Sequence, residues 1–367
     1  MTRLLFVLNS FESGAVPNIL LDLAPALGQE GFDLRFLTLE PLPENHPSVQ
    51  RCRSLGLPLV SLNKNPKDVL GSLWALSSEI RRQKPDLIHS HLGRADIYSA
   101  LGAPRSIPLV STFHSVAQNY GRLTRWGYKW TNNRPAFRTG VSHESIRSLF
   151  GPGPNLGLRG PHRVVYNPVD QGRLTPRVSV DKVRRELGLD PTRPVLLSAG
   201  RFVPAKGLEY FIDALPAVLE TLPHLQVILA GSGPLEEQLR TLVNHLKLEK
   251  VVRFVGFSTH LPDLMQVADL LVFPSLWEGM GLVPLEALLQ GVPVVVSDIP
   301  AVAEVVENPQ WRFTPRDSQA CARAIVSALE DLPNRRALVS ELQPSLRDRF
   351  SVSTIATQYA EIYREVL

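Results

Sequence analysis

Short β-branched and apolar runs alternate along this 367-residue chain with longer stretches of helical period, and the pattern runs through twice. Parallel strands need a crossover of a dozen or more residues, usually a helix, so this alternation implies βα units around a parallel sheet. Strand-like runs fall at 3–9, 33–39, 58–62, 86–91, 108–115, 137–142 and 163–169. A polar, proline-bearing stretch, DQGRLTPRVSVDKVRRELGLDPTRP, then interrupts the pattern. It resumes at 195–200, 225–231, 251–257, 270–275, 293–298 and, more weakly, 311–315. The expected fold is α/β: two Rossmann-like, doubly wound parallel-sheet domains, 1–170 and 171–350, facing each other across a cleft. The amphipathic stretch within 351–367 has no strand after it and is expected to pack back on the first domain.

No run of 18 consecutive apolar residues occurs, and the first residues read as a strand instead of a basic leader, so a cytoplasmic protein is expected. Cys52 and Cys321 lie in different halves with no Cys or His at ligand spacing, which argues against a disulfide framework or a zinc site. Charge is divided unevenly. Residues 1–193 carry 25 Lys+Arg against 15 Asp+Glu, a net +10, and residues 194–367 carry 14 against 20, a net −6.

Ligands of open α/β sheets bind beyond the carboxyl ends of the strands, which directs attention to polar residues just after them. After the run at 270–275 comes WEGMGLVPLEALLQG, with Glu278 and Glu286 eight residues apart. Gly279 and Gly281 permit a tight turn, and the helix expected from near Leu282 points amide N–H groups and its positive dipole end at an anion such as phosphate. Carboxylates would repel that anion. They suit vicinal hydroxyls on sugars either side of a diphosphate, the alternative being a helix-capping Glu278 and a solvated Glu286. After the run at 195–200 comes GRFVPAKG, where Arg201 and Lys206 could neutralise a diphosphate or could be solvated surface cations.

GRFVPAKG, AGSGP, VGF and ADLLVFPSLWEGMGLVPLEALLQGVPVVVSD, in this order and spacing, closely resemble the retaining GT-B glycosyltransferases of glycosyltransferase family 4. The resemblance covers most of 195–300 and the remainder more loosely. It implies a diphosphate-binding pair in Arg201 and Lys206, contact of Glu278 with the transferred sugar, and contact of Glu286 with the ribose. It also implies donor contacts from Gly231, Phe257 and the turn Gly279, Met280, Gly281, Leu282 and Val283. In the first domain it implies His114 near the sugar's reactive carbon, His89 and His91 on the acceptor side, and Gly14 close to the diphosphate. His114, Glu278, Arg201 and Lys206 are the expected catalytic set. No metal or cofactor is expected: the nucleotide sugar is a substrate, there is no Asp-x-Asp, and the cations with the helix dipole take the electrostatic role of a metal.

Some positions depart from the family pattern. Ser13 or Ala15 stands where a second glycine is usual, SDIPAVAEVV lacks a glycine before Glu304, and ENPQWRF replaces an asparagine-glycine turn. AGSGP places Glu236 where a dinucleotide fingerprint needs its third glycine, so it reads as a helix start behind a strand.

Residues 122–185 hold thirteen Lys+Arg against Glu144, Asp170 and Asp181. Within them GRLTRWGYKWTNNR interleaves Arg122, Arg125 and Lys129 with Trp126, Tyr128 and Trp130, a composition suited to an anionic membrane interface on the inner face of the membrane. The alternative is a solvated helix with its tryptophans in the core. No base-reading module is present, and nucleic acid is not an expected partner.

The expected function is transfer of a sugar from a UDP- or GDP-sugar to the hydroxyl of a sugar or lipid-linked acceptor, with retention at the anomeric carbon and closure of the domains about the linker at 168–193. Two alternatives share the features: an epimerase or phosphorylase on the same fold, and a non-catalytic nucleotide-sugar binding protein.

Overall fold

The computed structural model describes residues 1–11, 15–151, 157–258 and 260–367. The chain forms two compact units, residues 1–169 with 350–367, and residues 170–349.

The first unit contains β1 (Thr2–Leu8), β2 (Phe32–Thr38), β3 (Leu59–Ser61), β4 (Leu87–His91), β5 (Leu109–Phe113), β6 (Phe137–Gly140) and β7 (His162–Val164). They form a parallel sheet in the order β3-β2-β1-β4-β5-β6-β7. Leu4 to Leu8 are all wholly buried, as a central strand covered on both faces requires. The expected strand at 163–169 is only three residues long, His162–Val164. Pro168, which lacks an N–H, could not have donated to a ladder near the end of that run.

The closing helix Val352–Val366 belongs to this unit. Ser351 caps it by accepting from Thr354 N at 3.0 Å, and the helix buries Ile355, Ala356, Tyr359, Ala360, Ile362 and Tyr363. Arg364 near its end pairs with Glu30 at 2.7 Å.

The second unit contains β8 (Val195–Ala199), β9 (Gln226–Ala230), β10 (Val252–Gly256), β11 (Leu270–Phe273), β12 (Val294–Ser297) and β13 (Arg312–Phe313). Its sheet is also parallel, in the order β10-β9-β8-β11-β12-β13. The order reverses between β8 and β11, so the crevice for a ligand lies beyond those two strand ends. Helix Leu208–Thr221 covers this sheet with the apolar stripe Leu208, Phe211, Ile212, Leu215 and Val218, all buried, and Pro216 lies within it.

The fold is therefore the α/β class expected, with two doubly wound parallel sheets. Among the described residues no helix is long and apolar enough to cross a membrane, and no three His, Cys, Asp or Glu gather in a metal-holding group. Both cysteines are buried and free.

Candidate active site

At the switch point of the second sheet, the segments after β8 and β11 are locked together. Gly207 adopts φ +56°, and a Cβ there would overlap the carbonyl of Pro274. Beside it Leu276 N donates to Ala205 O at 2.8 Å. This close passage, which only glycine permits, delivers Lys206 to Glu278: Nζ lies 2.5 Å from Oε1. Ser275 Oγ donates to the same oxygen at 2.8 Å, and Lys206 Nζ sits 4.9 Å from the centre of the Phe273 ring. Both partners are mostly buried, their side chains 20% and 16% exposed, so the pair is held more firmly than a surface ion pair.

The segments after β8, β9 and β10 are stitched in the same way. Gly200 N donates to Ala230 O at 2.9 Å, Phe202 N to Ser232 O at 2.9 Å and Gly231 N to Gly256 O at 2.7 Å. Between them opens a cavity of about 480 Å³ lined in part by Arg201, Gly231, Ser232, Phe257, Ser258 and Val283. Arg201 is exposed, and so is the ring of Phe257, at 76%. The cavity thus offers a cation, an open aromatic face and small residues that admit a ligand to the backbone.

Helix Leu282–Leu289 supplies the anion-binding end. Its N-cap, Gly281, is left-handed at φ +88°, and no side chain caps its first turn, so the orphan amides there can face a ligand. Met280 is buried, while Leu282 and Val283 are half-buried. Farther along, burial pushes the Glu286 carboxyl up to about 7 against the opposing pull of Arg173.

The histidines of the first unit have a different character. His89 and His91 stand two apart on β4, on one face, with ring centres 4.0 Å apart, and both are wholly buried. His89 Nδ1 lies 2.6 Å from the Tyr363 hydroxyl and Nε2 lies 2.6 Å from Thr112 Oγ1. With no exposed surface and both ring nitrogens occupied, His89 is a core histidine joining β4 to the closing helix. The acceptor-side role expected of it is corrected accordingly. His91 Nδ1 meets His114 Nε2 at 2.8 Å just after β5. Burial lowers His114 to about 3, a hydrogen bond with Asn167 pulling weakly the other way, and burial drives His89 and His91 well below their ordinary value. All three rings are therefore neutral near pH 7.

Two family models match almost end to end along the chain: Glycosyltransferase Family 4 over residues 16–173 and Glycosyl transferases group 1 over residues 179–342. This chain belongs to the GT-B glycosyltransferases of family 4. Among relatives, an alpha-D-kanosaminyltransferase of Streptomyces kanamyceticus is 28% identical over 315 residues, 80% of this chain and 81% of that protein. The lipopolysaccharide core biosynthesis mannosyltransferase LpsB of Rhizobium meliloti (strain 1021) is 31% identical over 216 residues, and the match spans 56% of this chain and 62% of that protein. The crystal structure of Anabaena Alr3699/HepE in complex with UDP is 27% identical, with a TM-score of 0.83 and all of both chains covered. The same Anabaena protein in complex with UDP-glucose is 26% identical, with a TM-score of 0.83 and all of both chains again covered. The chain is thus a sugar-transferring enzyme of the hexosyltransferase type.

In this glycosyltransferase Arg201, Gly231, Phe257 and Val283 line one cavity, Lys206 pairs with Glu278, and Gly279 to Leu282 form the turn into the helix that carries Glu286. His91 and His114 pair separately in the first unit, and Gly14 lies outside the described residues. Sequence reasoning missed Ser275, which anchors Glu278, and Asn167, which bonds to His114. Ser275 stood in plain view at the end of FPS. Asn167 was hidden by the strand pattern of RVVYNPV.

The basic stretch 122–185 is not one surface. Arg138 is buried in β6, and Arg173, Arg177, Lys182, Arg184 and Arg185 belong to the second unit. Trp126 and Trp130, by contrast, are exposed and do not face the core.

Proposed function

We propose that the chain transfers a sugar from a nucleoside-diphosphate sugar to the hydroxyl of a sugar or lipid-linked acceptor, with retention at the anomeric carbon. The observation that carries this reading is the assembly at the second sheet's switch point: a cavity holding Arg201 and Phe257 beside an uncapped helix start and the Lys206–Glu278 pair. A diphosphate would take Arg201, Lys206 and the amides near Val283, while Glu278, released from Lys206, would accept hydrogen bonds from the sugar. Glu286 would take the ribose hydroxyls, and Phe257 would offer its face to the base.

In this reading the bond from the anomeric carbon to the diphosphate breaks, the cations and amides stabilise the departing oxygen, and that oxygen takes the acceptor's proton as the new glycosidic bond forms on the same face. Positive charge comes from the protein, and neither metal nor cofactor takes part. UDP is favoured as the nucleotide because the similar Anabaena protein is crystallised with UDP and with UDP-glucose. We assign the acceptor to the first unit, with His114 as a neutral partner for the sugar, and this reading includes contact with an anionic membrane surface.

Calorimetric titration with UDP, GDP and their sugars tests the site. Arg201→Ala should weaken binding by about tenfold or more, as loss of a charge-assisted contact does, and Glu286→Ala should weaken it by less. Unchanged affinity in both variants would sink the site assignment. Product analysis separates the rivals: a donor sugar isomerised without acceptor marks an epimerase, and binding without transfer marks a binding protein.

A further inference from the structure

Helix Arg122–Trp130 of the first unit has two faces that do different work. Inward, Gly127 lets it press onto helix Gly93–Gly102, for a Cβ at this position would lie 2.6 Å from Ile97 Cδ1. Next to it the Tyr128 hydroxyl donates to the buried Asp96 at 2.6 Å. Outward, Leu123, Trp126 and Trp130 are 85%, 64% and 63% exposed. Their spacing of three and four residues places them in one stripe along the helix. The two indoles stack, with centroids 5.8 Å apart and planes 10° from parallel. Arg122, Arg125 and Lys129, all exposed, run alongside that stripe.

The stripe ends at a basic cavity. A space of about 660 Å³ is lined by Leu101, Arg105, Trp130, Thr131, Asn133 and Arg134 among others, with no carboxylate in its wall. Arg134 Nη2 is held by the carbonyls of Pro104 at 2.9 Å and Ile107 at 3.2 Å. Burial first, and the nearby Arg105 charge second, push Arg134 below its ordinary range. Two like charges are thus kept close together, and from Ile97 to His143 the chain offers no Asp or Glu to relieve them. Among the described residues neither Arg105 nor Arg134 forms an ion pair. A cation pair maintained without a counterion is a site for an external anion.

We propose that this helix and the cavity at its C-terminal end form a docking site for an anionic phospholipid surface. Leu123, Trp126 and Trp130 enter the headgroup layer, and Arg105 with Arg134 receive a lipid phosphate. The chemistry favours a bilayer over a protein partner because amphipathic indoles settle at the boundary between headgroups and acyl chains, and a row of cations beside them meets the negative surface. The proposal deepens only the membrane part of the reading above and does not depend on the donor site.

The test is co-sedimentation of the full chain with phosphatidylcholine vesicles, with and without phosphatidylglycerol. Partitioning should rise by about tenfold or more with the anionic lipid and fall by about tenfold in a Trp126→Ala, Trp130→Ala double variant. Arg105→Gln should remove much of the preference for phosphatidylglycerol while leaving indole insertion, read as a blue shift of tryptophan emission. These side chains are exposed, so unchanged melting confirms that the variants fold. Equal partitioning onto both vesicles, or variants that bind as the parent does, would overturn the proposal. Inorganic phosphate that binds through Arg105 and displaces the vesicles would make the cavity a soluble phosphate site instead. Salt-sensitive capture of single-stranded RNA without vesicle binding would make the face a nucleic-acid surface, and both of these outcomes also overturn it. Nucleotide binding measured on the same variants should be unchanged, which keeps failure here distinct from failure of the donor site.

Discussion

In the second unit the segments after β8 and β11 bring forward opposite charges, Lys206 and Glu278, mostly buried and bonded to each other. In the first unit the ends of β4 and β5 bring forward His91 and His114, bonded to each other and held neutral by burial. Both sheets are parallel and doubly wound, so the strand plan does not decide which chemistry appears. The difference lies in how the loops are packed. The second unit uses glycines to let backbones touch, leaving side chains of either charge at the crevice. The first unit packs rings on rings, His89 between His91 and the tyrosines of the closing helix, and burial holds those rings neutral.

The comparison would break most visibly at Gly231. Its φ is +146°, and a Cβ there would overlap the carbonyl oxygen of Gly200, a backbone atom whose strand is fixed on both sides. Gly231→Ala should cost about 3 kcal/mol or more and abolish nucleotide binding, because the loops that line the cavity must separate. Far-UV circular dichroism melting should show a destabilised transition. A variant that melts and binds as the parent does would show that the close packing of these loops is not what builds the site.

The same contrast explains what was legible from sequence. Central strands such as β1 and β8 are marked by their own apolar runs, since strands buried on both faces are largely apolar, whereas β6 (FRTG) and the exposed β7 (HRV) carry little such signal. The donor-side residues follow their strands within a few positions, at Arg201 and Lys206 after β8 and Glu278 after β11, so local pattern suffices to find them. His89 was misjudged because the groups that occupy its ring are remote in sequence: Tyr363 comes from the closing helix, 274 residues later. Periodicity shows that this helix has an apolar face, but it cannot show which strand meets its tyrosine hydroxyls. The basic stretch 122–185 was misjudged in extent for the same reason, since a run of basic residues in sequence crosses from one unit to the other.

A smaller effect tests the ring packing. Tyr363→Phe keeps the edge contact with Phe32, at 5.2 Å between centroids, but removes the hydroxyl 2.6 Å from His89 Nδ1. Leaving that buried nitrogen unpaired should cost about 1–3 kcal/mol, measured by urea unfolding. The loss should also depend on pH in a defined direction. The buried histidines lie below their unfolded value of 6.5, so the stability they confer is complete above that pH and is lost as pH falls toward the folded value, about 3 for His114. Stability that stays flat from pH 7 to pH 4 would show that the rings are already solvated, and the two units would no longer differ in the way described.

The smallest effect is expected at Glu286, where the two packing styles meet in one residue. Its carboxyl, on the donor-side helix, is raised from 4.5 to about 7 by burial, the same cause that keeps the histidines neutral. A raised acid favours its protonated form in the folded chain, so its contribution is complete below pH 4.5 and is lost as pH rises through 7. The residue keeps some exposed surface, and solvent screening reduces the nominal penalty, so Glu286→Gln should stabilise the protein by only about 1 kcal/mol at pH 8 and not at all at pH 4. If this carboxylate holds ribose hydroxyls, nucleotide affinity in the parent should fall as pH drops below 7, and the variant should bind more weakly with a flat profile. A variant that is more stable and binds equally well at every pH would leave Glu286 a buried acid of the helix, and the donor site would be confined to the glycine-packed loops and the Lys206–Glu278 pair.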